Sequence, residues 1–400
     1  MRINPAMTQT EAPPVMEARR WIAGRSFPAD RPLINVSQAA PVDPPPDGLR
    51  RAMADAVLQD DAAHLYGPVL GLPDLRAEVA TQFSASYGAS ISTDDVGITS
   101  GCNQAFAAVM SAIAGADDEV LLPTPWYFNH KMWLDMVGVR AVAIPPGPGL
   151  LPEPAEIEAR ISDRTRALVL VTPNNPAGVE YPATLLDACY DIARRHDLAL
   201  IIDETYRDFD KRSGPPHTLL SRPDWRDTVV QLYSFSKAYR LTGHRVGSIV
   251  AAPHLLAEIE KFLDTVAICP NQVGQRGALW GMRNLCQWLA GERAEILDRR
   301  AAIEEAFHGL AGSGWILEGS GAYFAYVRHP FDEPSDLLAQ RMVAEANILL
   351  LPGTMFMPEG EGHQHLRIAF ANVDRAGIGE LADRLVALTG PRLAAAAASA

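Results

Sequence analysis

The sequence predicts an α/β protein: a large domain with a mainly parallel central sheet covered by helices, plus a smaller α+β domain. Three observations point there. At 400 residues the chain is longer than one ordinary core requires. Continuous apolar runs at 167–172, 198–202 and 228–233, the first two separated by a helical stretch at 185–196, have the pattern of parallel strands buried on both faces. Each run ends in a polar cluster, and the C-terminal edge of such a sheet is where ligands bind.

Composition narrows the function. The hydrophobic fraction of 48% and the charged fraction of 21% are those of a globular protein. A net charge of -13 leaves no basic stripe for phosphates, which argues against nucleic acid as a partner. Cys102, Cys189, Cys269 and Cys286 lack any CxxC spacing, so neither a disulfide framework nor a zinc site is expected. Without a long apolar run or a signal-peptide core, the expectation is a cytoplasmic protein with no membrane association.

Residues 1–32, rich in Pro, Ala and Arg, read as a mobile N-terminal arm. Residues 33–47 hold a short strand (33–36) and a proline cluster (41–46), and are assigned to the small domain. The large domain is expected over 48–275, the C-terminal part of the small domain over 276–390, and a disordered tail over 391–400. A helical run at 49–58 leads to Tyr66-Gly67 and a Gly-rich loop entering a helix near Pro73. Residues 96–105 read as strand, glycine turn and helix; Gly101, Cys102 and Asn103 then sit at a helix N-terminus, where free N–H groups suit one phosphate, although a plain strand-to-helix turn reads the same way. The strand at 119–122 runs into Pro123-Thr124-Pro125-Trp126-Tyr127, an aromatic loop.

After 167–172 comes Pro173-Asn174-Asn175-Pro176-Ala177-Gly178, a turn sequence, and after 198–202 comes Asp203-Glu204-Thr205-Tyr206. The strand at 228–233 leads into Ser234-Phe235-Ser236-Lys237, and the next runs over 246–251. Only four lysines stand against 31 arginines. Lys237, among hydroxyls and with Arg245 eight residues on, has the electropositive setting an amine nucleophile needs; taken alone it would read as a surface lysine. A largely helical stretch at 261–290 precedes strands at 323–328, 348–351 and 366–371. Arg367 lies inside the last, where apolar neighbours demand an anionic partner, either a protein carboxylate or a ligand. His363 and His365 have no companion ligands, so no metal is expected.

The segment Ser236-Lys237-x5-Gly243-x-Arg245-x-Gly247 resembles the pyridoxal 5'-phosphate attachment site of class I/II aminotransferases of fold type I, the aspartate aminotransferase superfamily. The likeness extends over roughly 33–390, with the motifs in the family's order. It implies that Lys237 carries the cofactor and moves a proton between the substrate's Cα and the cofactor's C4′. It implies further that Asp203 pairs with the pyridine nitrogen, and that Asn175 and Tyr206 bond the phenolic oxygen. Tyr127, or less readily Trp126, would stack on the ring. Gly101, Cys102, Asn103, Ser234 and Arg245 would hold the phosphate, with Tyr66 entering from the second subunit of a homodimer. Arg367 would hold the substrate α-carboxylate beside Asn175 and Ala39.

Two departures stand out. Ala39 lies in a segment where the family commonly has a glycine, and Cys102 stands where glycine or serine is usual. The implied reaction moves an amino group between an L-amino acid and a 2-oxo acid by a ping-pong route. A β-lyase, decarboxylase, cyclase or oxidase on the same cofactor is the alternative, and a non-catalytic regulatory domain a remote one.

Overall fold

The computed structural model describes residues 1–398, with side chains to Gly390. The tail expected to be disordered over 391–400 is helical to residue 398, as the end of the helix Arg375–Ala398, and residues 399–400 lie outside the described residues.

Thirteen strands are described: β1 (Ile34–Asn35), β2 (Val96–Thr99), β3 (Glu119–Pro123), β4 (Arg140–Ile144), β5 (Thr165–Val171), β6 (Ala199–Asp203), β7 (Val229–Ser234), β8 (Gly247–Val250), β9 (Ile316–Gly321), β10 (Phe324–Arg328), β11 (Ile348–Leu349), β12 (Leu351–Pro352) and β13 (His365–Ala369). Seven form the main sheet, in the order β2-β8-β7-β6-β5-β3-β4. Its neighbours pair in parallel except around β8, which is antiparallel to both β2 and β7. The chain reaches β8 through the short 235–246 segment, which holds only one turn of α-helix and one of 3-10 helix, Phe235–Ala238 and Thr242–His244. A parallel neighbour would need a covering crossover, so the strand turns back instead.

Successive strand residues point to opposite faces, and each face meets its own helices. Leu168, Leu170, Leu200 and Ile202 pack with Leu75, Val79 and Phe83 of the helix Pro73–Tyr87 and with Leu186 of Ala183–Arg195. Val169, Ile201 and Val230 pack with Phe106 and Val109 of Cys102–Ile113 and with Leu256 and Ile259 of Pro253–Ala267. Both faces are covered by helices, which is why these strands read as largely apolar runs.

A second core, with Phe307, Leu338, Leu366 and Ile368, lies under an antiparallel four-stranded sheet, β12-β13-β10-β9. β1 joins this unit by pairing in parallel with β11. The run expected as one strand at 348–351 is split: β11 pairs with β1, and β12 pairs with β13 in the other sheet. β4 and β9 were not anticipated. Ile316–Gly321 contains two glycines and reads as a loop until β10 pairs with it. The helical stretch expected at 261–290 is three helices, Pro253–Ala267, Gln272–Asn284 and Cys286–Gly309, the first break holding Ile268 (φ 61°) and Pro270 and the second falling at Leu285. The boundary expected at 275/276 therefore divides the helix Gln272–Asn284, whose Ala278 and Met282 belong to the core beneath the main sheet.

The N-terminal arm differs most from expectation. It carries the helices Pro5–Gln9 and Pro14–Trp21, and Ala18 of the second is fully buried against Phe128, Leu349, Leu351 and Phe356. Its prolines start these helices, where a missing N–H costs nothing, and an arm read as mobile is packed.

Candidate active site

The strand ends of the main sheet surround a cavity of about 120 Å³. Val171 ends β5, Asp203 ends β6 and Ser234 ends β7, and all three line the cavity.

One end of the cavity is a cradle for an anion. Gly101 caps the helix Cys102–Ile113 with φ +87° and no side-chain cap, leaving the first N–H groups of that helix free for a ligand. A Cβ on Gly101 would lie 2.2 Å from Arg245 Nη2, and one on Gly247 would lie 2.7 Å from the Gly101 carbonyl carbon. Both glycines are therefore needed to bring the β2 turn and Arg245 together. Arg245 is held in turn by hydrogen bonds to Ser236 Oγ (3.3 Å) and the Thr242 carbonyl (3.0 Å). The Ser234 hydroxyl caps the short Lys237 helix by accepting from Ser236 N–H.

Asp203 and Lys237 lie further in. Asp203 is 3% exposed; its Oδ1 accepts from the Thr205 N–H (3.0 Å) and hydroxyl (2.7 Å), and its Oδ2 lies 3.3 Å from His130 Nε2. Burial opposes its charge, but the His130 and Thr205 contacts outweigh that, and its carboxyl titrates below the usual range. The same burial and the Asp203 charge push the Cys102 thiol well up, so it is a neutral thiol. His130 is itself stacked on Phe106, centroids 3.9 Å apart. Lys237 Nζ donates to the Ala39 carbonyl (2.5 Å), and burial, then the charges of Arg245 and Arg367, lower its pKa to about 8.

Tyr127 lines the cavity, whereas Trp126 does not; the Tyr127 hydroxyl donates to Asn103 Oδ1 (3.3 Å) and accepts from Asn129 Nδ2 (2.9 Å). Tyr206 and Asn175 complete the lining opposite.

Arg367 closes this side. It is 2% exposed, donates from Nη1 to Asn175 Oδ1 (3.0 Å) and from Nη2 to the Ser37 carbonyl, and its Nε–H has no acceptor. No Asp or Glu among the described residues pairs with it, and burial lowers its pKa to about 10. A buried guanidinium left with neutral acceptors and a spare N–H is a site for a carboxylate.

The cavity thus gathers Cys102, Asn103, Tyr127, Asn175, Asp203, Tyr206, Ser234, Lys237 and Arg245, while Gly101, Ala39 and Arg367 touch its members. Tyr66 lies elsewhere, 80% exposed on the surface of the protomer. Sequence reasoning left out Thr205, Ser236, Val171 and His130. Thr205 and Ser236 sat inside the quoted motifs, and a hydroxyl two residues after a strand-end Asp is itself a capping signal. Nothing local marks His130, which reaches Asp203 from a helix 73 residues earlier. Among the described residues, no helix is long and apolar enough to cross a membrane, and no group of three or more His, Cys, Asp or Glu could hold a metal ion.

An anion cradle, a buried carboxylate to hold a protonated ring nitrogen, and a low-pKa lysine between them fit pyridoxal phosphate, and on this sheet they define a fold-type I pyridoxal-phosphate enzyme. The chain belongs to the aminotransferase class I and II family, whose sequence model matches residues 31–385. It is 28% identical over 329 residues to the aromatic aminotransferase ISS1 of Arabidopsis thaliana, covering 80% of each chain. It is 26% identical over 354 residues to the aspartate/prephenate aminotransferase of Thermus thermophilus, covering 85% of this chain and 86% of that one. The solved aspartate aminotransferase of Thermus thermophilus with maleate shares the fold, with a TM-score of 0.86 over 96% of this chain and 99% of that one, at 22% identity. The protein is a pyridoxal-phosphate-dependent aminotransferase, with an amino acid and an oxo acid as its substrates, and the alternative reactions of this cofactor are not favoured.

Proposed function

We propose that this chain transfers the amino group of an L-amino acid to a 2-oxo acid, with the α-carboxylate of each substrate held in turn by Arg367. The observation that carries this reading is Arg367 itself: buried, without a carboxylate partner, and with an unpaired Nε–H. Its planar fork suits a carboxylate, and the Asn175 bond sets its plane. Pyridoxal phosphate, when bound, supplies the electron sink that stabilises the carbanion left when Cα loses its proton.

The chain's own groups do the rest. Lys237, whose amine is partly neutral near pH 8, would hold the cofactor and serve as the base that takes the substrate's Cα proton and returns it. Asp203, held ionised by its His130 and Thr205 contacts, would keep a proton on the cofactor's ring nitrogen. Tyr206, Asn175 and Tyr127 line the cavity, where the first two would hydrogen-bond the cofactor's phenolic oxygen and Tyr127 would pack against its ring. The backbone N–H groups at Gly101 and Cys102, with Asn103, Ser234 and Arg245, would hold the phosphate. The Ala39 and Ser37 carbonyls, which accept from Lys237 and Arg367, tie the segment 37–39 to the two residues that would meet substrate.

The working form is a homodimer in which Tyr66 of each chain reaches the other's phosphate; its exposure, beside the exposed Leu65 and Leu58, supports this. Residues 33–47 and the C-terminal part form a small domain, which the β1–β11 pairing supports, and the large domain extends past 275 through the helix Gln272–Asn284. Four unpaired cysteines support a reducing, cytoplasmic location.

The test is an absorbance screen of the purified, yellow protein against amino acids and then 2-oxo acids. The expected result is conversion of the cofactor to its amine form by an amino acid, reversed by an oxo acid. Release of ammonia or carbon dioxide with no reversal would sink the reading.

A further inference from the structure

Beneath Asp203 lies a second buried polar cluster that the proposed reaction does not use. Asp203 faces the cavity, and the next residue, Glu204, is 1% exposed on the opposite side of β6. Its Oε2 accepts from the Tyr87 hydroxyl (2.5 Å) and Gln231 Nε2 (2.8 Å). His217 Nε2 lies 3.5 Å away, and Leu219 N–H donates to His217 Nδ1 (3.3 Å). Because Nδ1 is the acceptor, it is the Nε2 edge of the ring that lies beside the carboxylate, without a hydrogen bond to it. The Tyr87 oxygen also accepts from Arg207 Nη1 (3.1 Å), whose guanidinium lies 3.8 Å from the Phe83 ring centroid and 4.6 Å from that of Tyr233.

The segment 203–207 is thus held from both sides. Asp203, Thr205 and Tyr206 line the cavity, and Glu204 and Arg207 are fixed below by Tyr87 on the helix Pro73–Tyr87, Gln231 on β7 and His217 in the loop before Leu219. Burial works against the Glu204 charge, and His217, Arg207 and Tyr87 more than offset it. Apolar side chains of the same volume would bury at no such cost, so stability alone is a poor reason for these ions. Hydrogen bonds to fixed donors supply direction, which apolar packing does not.

We infer that Glu204, clamped by the hydrogen bonds of Tyr87 and Gln231 with His217 alongside, is a positioning residue that sets the Asp203 carboxylate and the Tyr206 hydroxyl against the cofactor. This rests on the proposed roles of Asp203 and Tyr206. Orientation of this kind is read in rate more than in substrate affinity, since small misplacements of reacting groups cost large factors.

The test compares Tyr87→Phe, which removes one oxygen, and Glu204→Gln with the wild-type holoenzyme, using Asp203→Asn as the reference. Four quantities are read: kcat, KM for an active amino acid, the midpoint of the cofactor's absorbance titration, and Tm. Tyr87→Phe is expected to lower kcat about tenfold with KM nearly unchanged, and to move the absorbance midpoint by about half a unit. Glu204→Gln, which turns an amide donor toward other donors, is expected to show the same pattern more strongly. A lower Tm with wild-type kcat and wild-type midpoint would make the cluster a structural brace and overturn the inference. If Glu204→Gln does not fold, Tyr87→Phe decides alone. An impaired Asp203→Asn beside an unimpaired Tyr87→Phe overturns this inference only; an unimpaired Asp203→Asn overturns the proposed role of Asp203, and this inference with it.

Discussion

Asp203 and Arg367 are buried ions of opposite sign at one site, and the protein treats them differently. Asp203 is answered by its own chain: Thr205 donates twice and His130 faces its other oxygen. Arg367 is given only neutral acceptors, Asn175 and the Ser37 carbonyl, and keeps a free N–H. The first ion is stable in place before any ligand arrives, as a group that must hold a charge throughout a reaction should be. The second is left short by one anion, which is how a site recognises a carboxylate that comes and goes. The contrast separates a fixed electrostatic element from an exchangeable one.

Breaking each side should therefore fail differently. The largest effect is expected from Asp203→Asn, which keeps shape but removes the charge: cofactor binding should survive, and Cα deprotonation in single turnovers should slow by about 10³-fold or more. A variant within a few-fold of wild type would make Asp203 a mere strand-end cap. Arg367→Leu should lower kcat/KM by about 10²-fold, mainly through KM, while the unliganded absorbance spectrum stays unchanged. Spectral damage of the Asp203 kind would erase the distinction between the two ions.

Gly101→Ala sharpens the comparison at the cradle. Its Cβ meets Arg245 at a backbone angle unfavourable for alanine, so the cofactor Kd should rise about tenfold, with kcat at saturating cofactor nearly kept. Equilibrium dialysis measures this.

The smallest effect concerns Lys237 in cofactor-free protein. Its folded pKa of about 8 lies below the unfolded 10.5, so between these values the unfolded chain binds more protons and stability rises with pH. Below about pH 8 the full penalty is present. Lys237→Met should remove that slope and raise stability near pH 7 by about 2 kcal/mol, allowing for the partial exposure of this side chain. Urea titrations from pH 7 to 10 would show it, and a slope that persists in the variant would assign it to another group.

Much of the floor under the cofactor was readable in the residues. Asp203, Ser234 and Lys237 follow apolar runs directly, and Arg245 and Gly247 follow Lys237 within one motif, because strand ends and tight turns are written in consecutive residues. The Arg367 side was readable only as a charged residue in the wrong company. Its partners come from Ser37, 330 positions away, and Asn175, 192 positions away. The packed N-terminal arm, with Ala18 buried under a proline-rich sequence, was misread for the same reason: nothing within 1–32 announces the surface that receives it.

By itself, then, the sequence determined the layered α/β fold, the strands that carry the site and the lysine at its centre, since hydrophobic period and turn chemistry act over a few residues. Tertiary structure alone decided the reversal of β8, the division of 348–352 between two sheets, the approach of His130 to Asp203 and the Ala39 carbonyl at Lys237. Apolar burial drives the chain together without specifying partners. Which polar groups then meet is set by where the two cores bring distant segments to rest, and no local pattern records that.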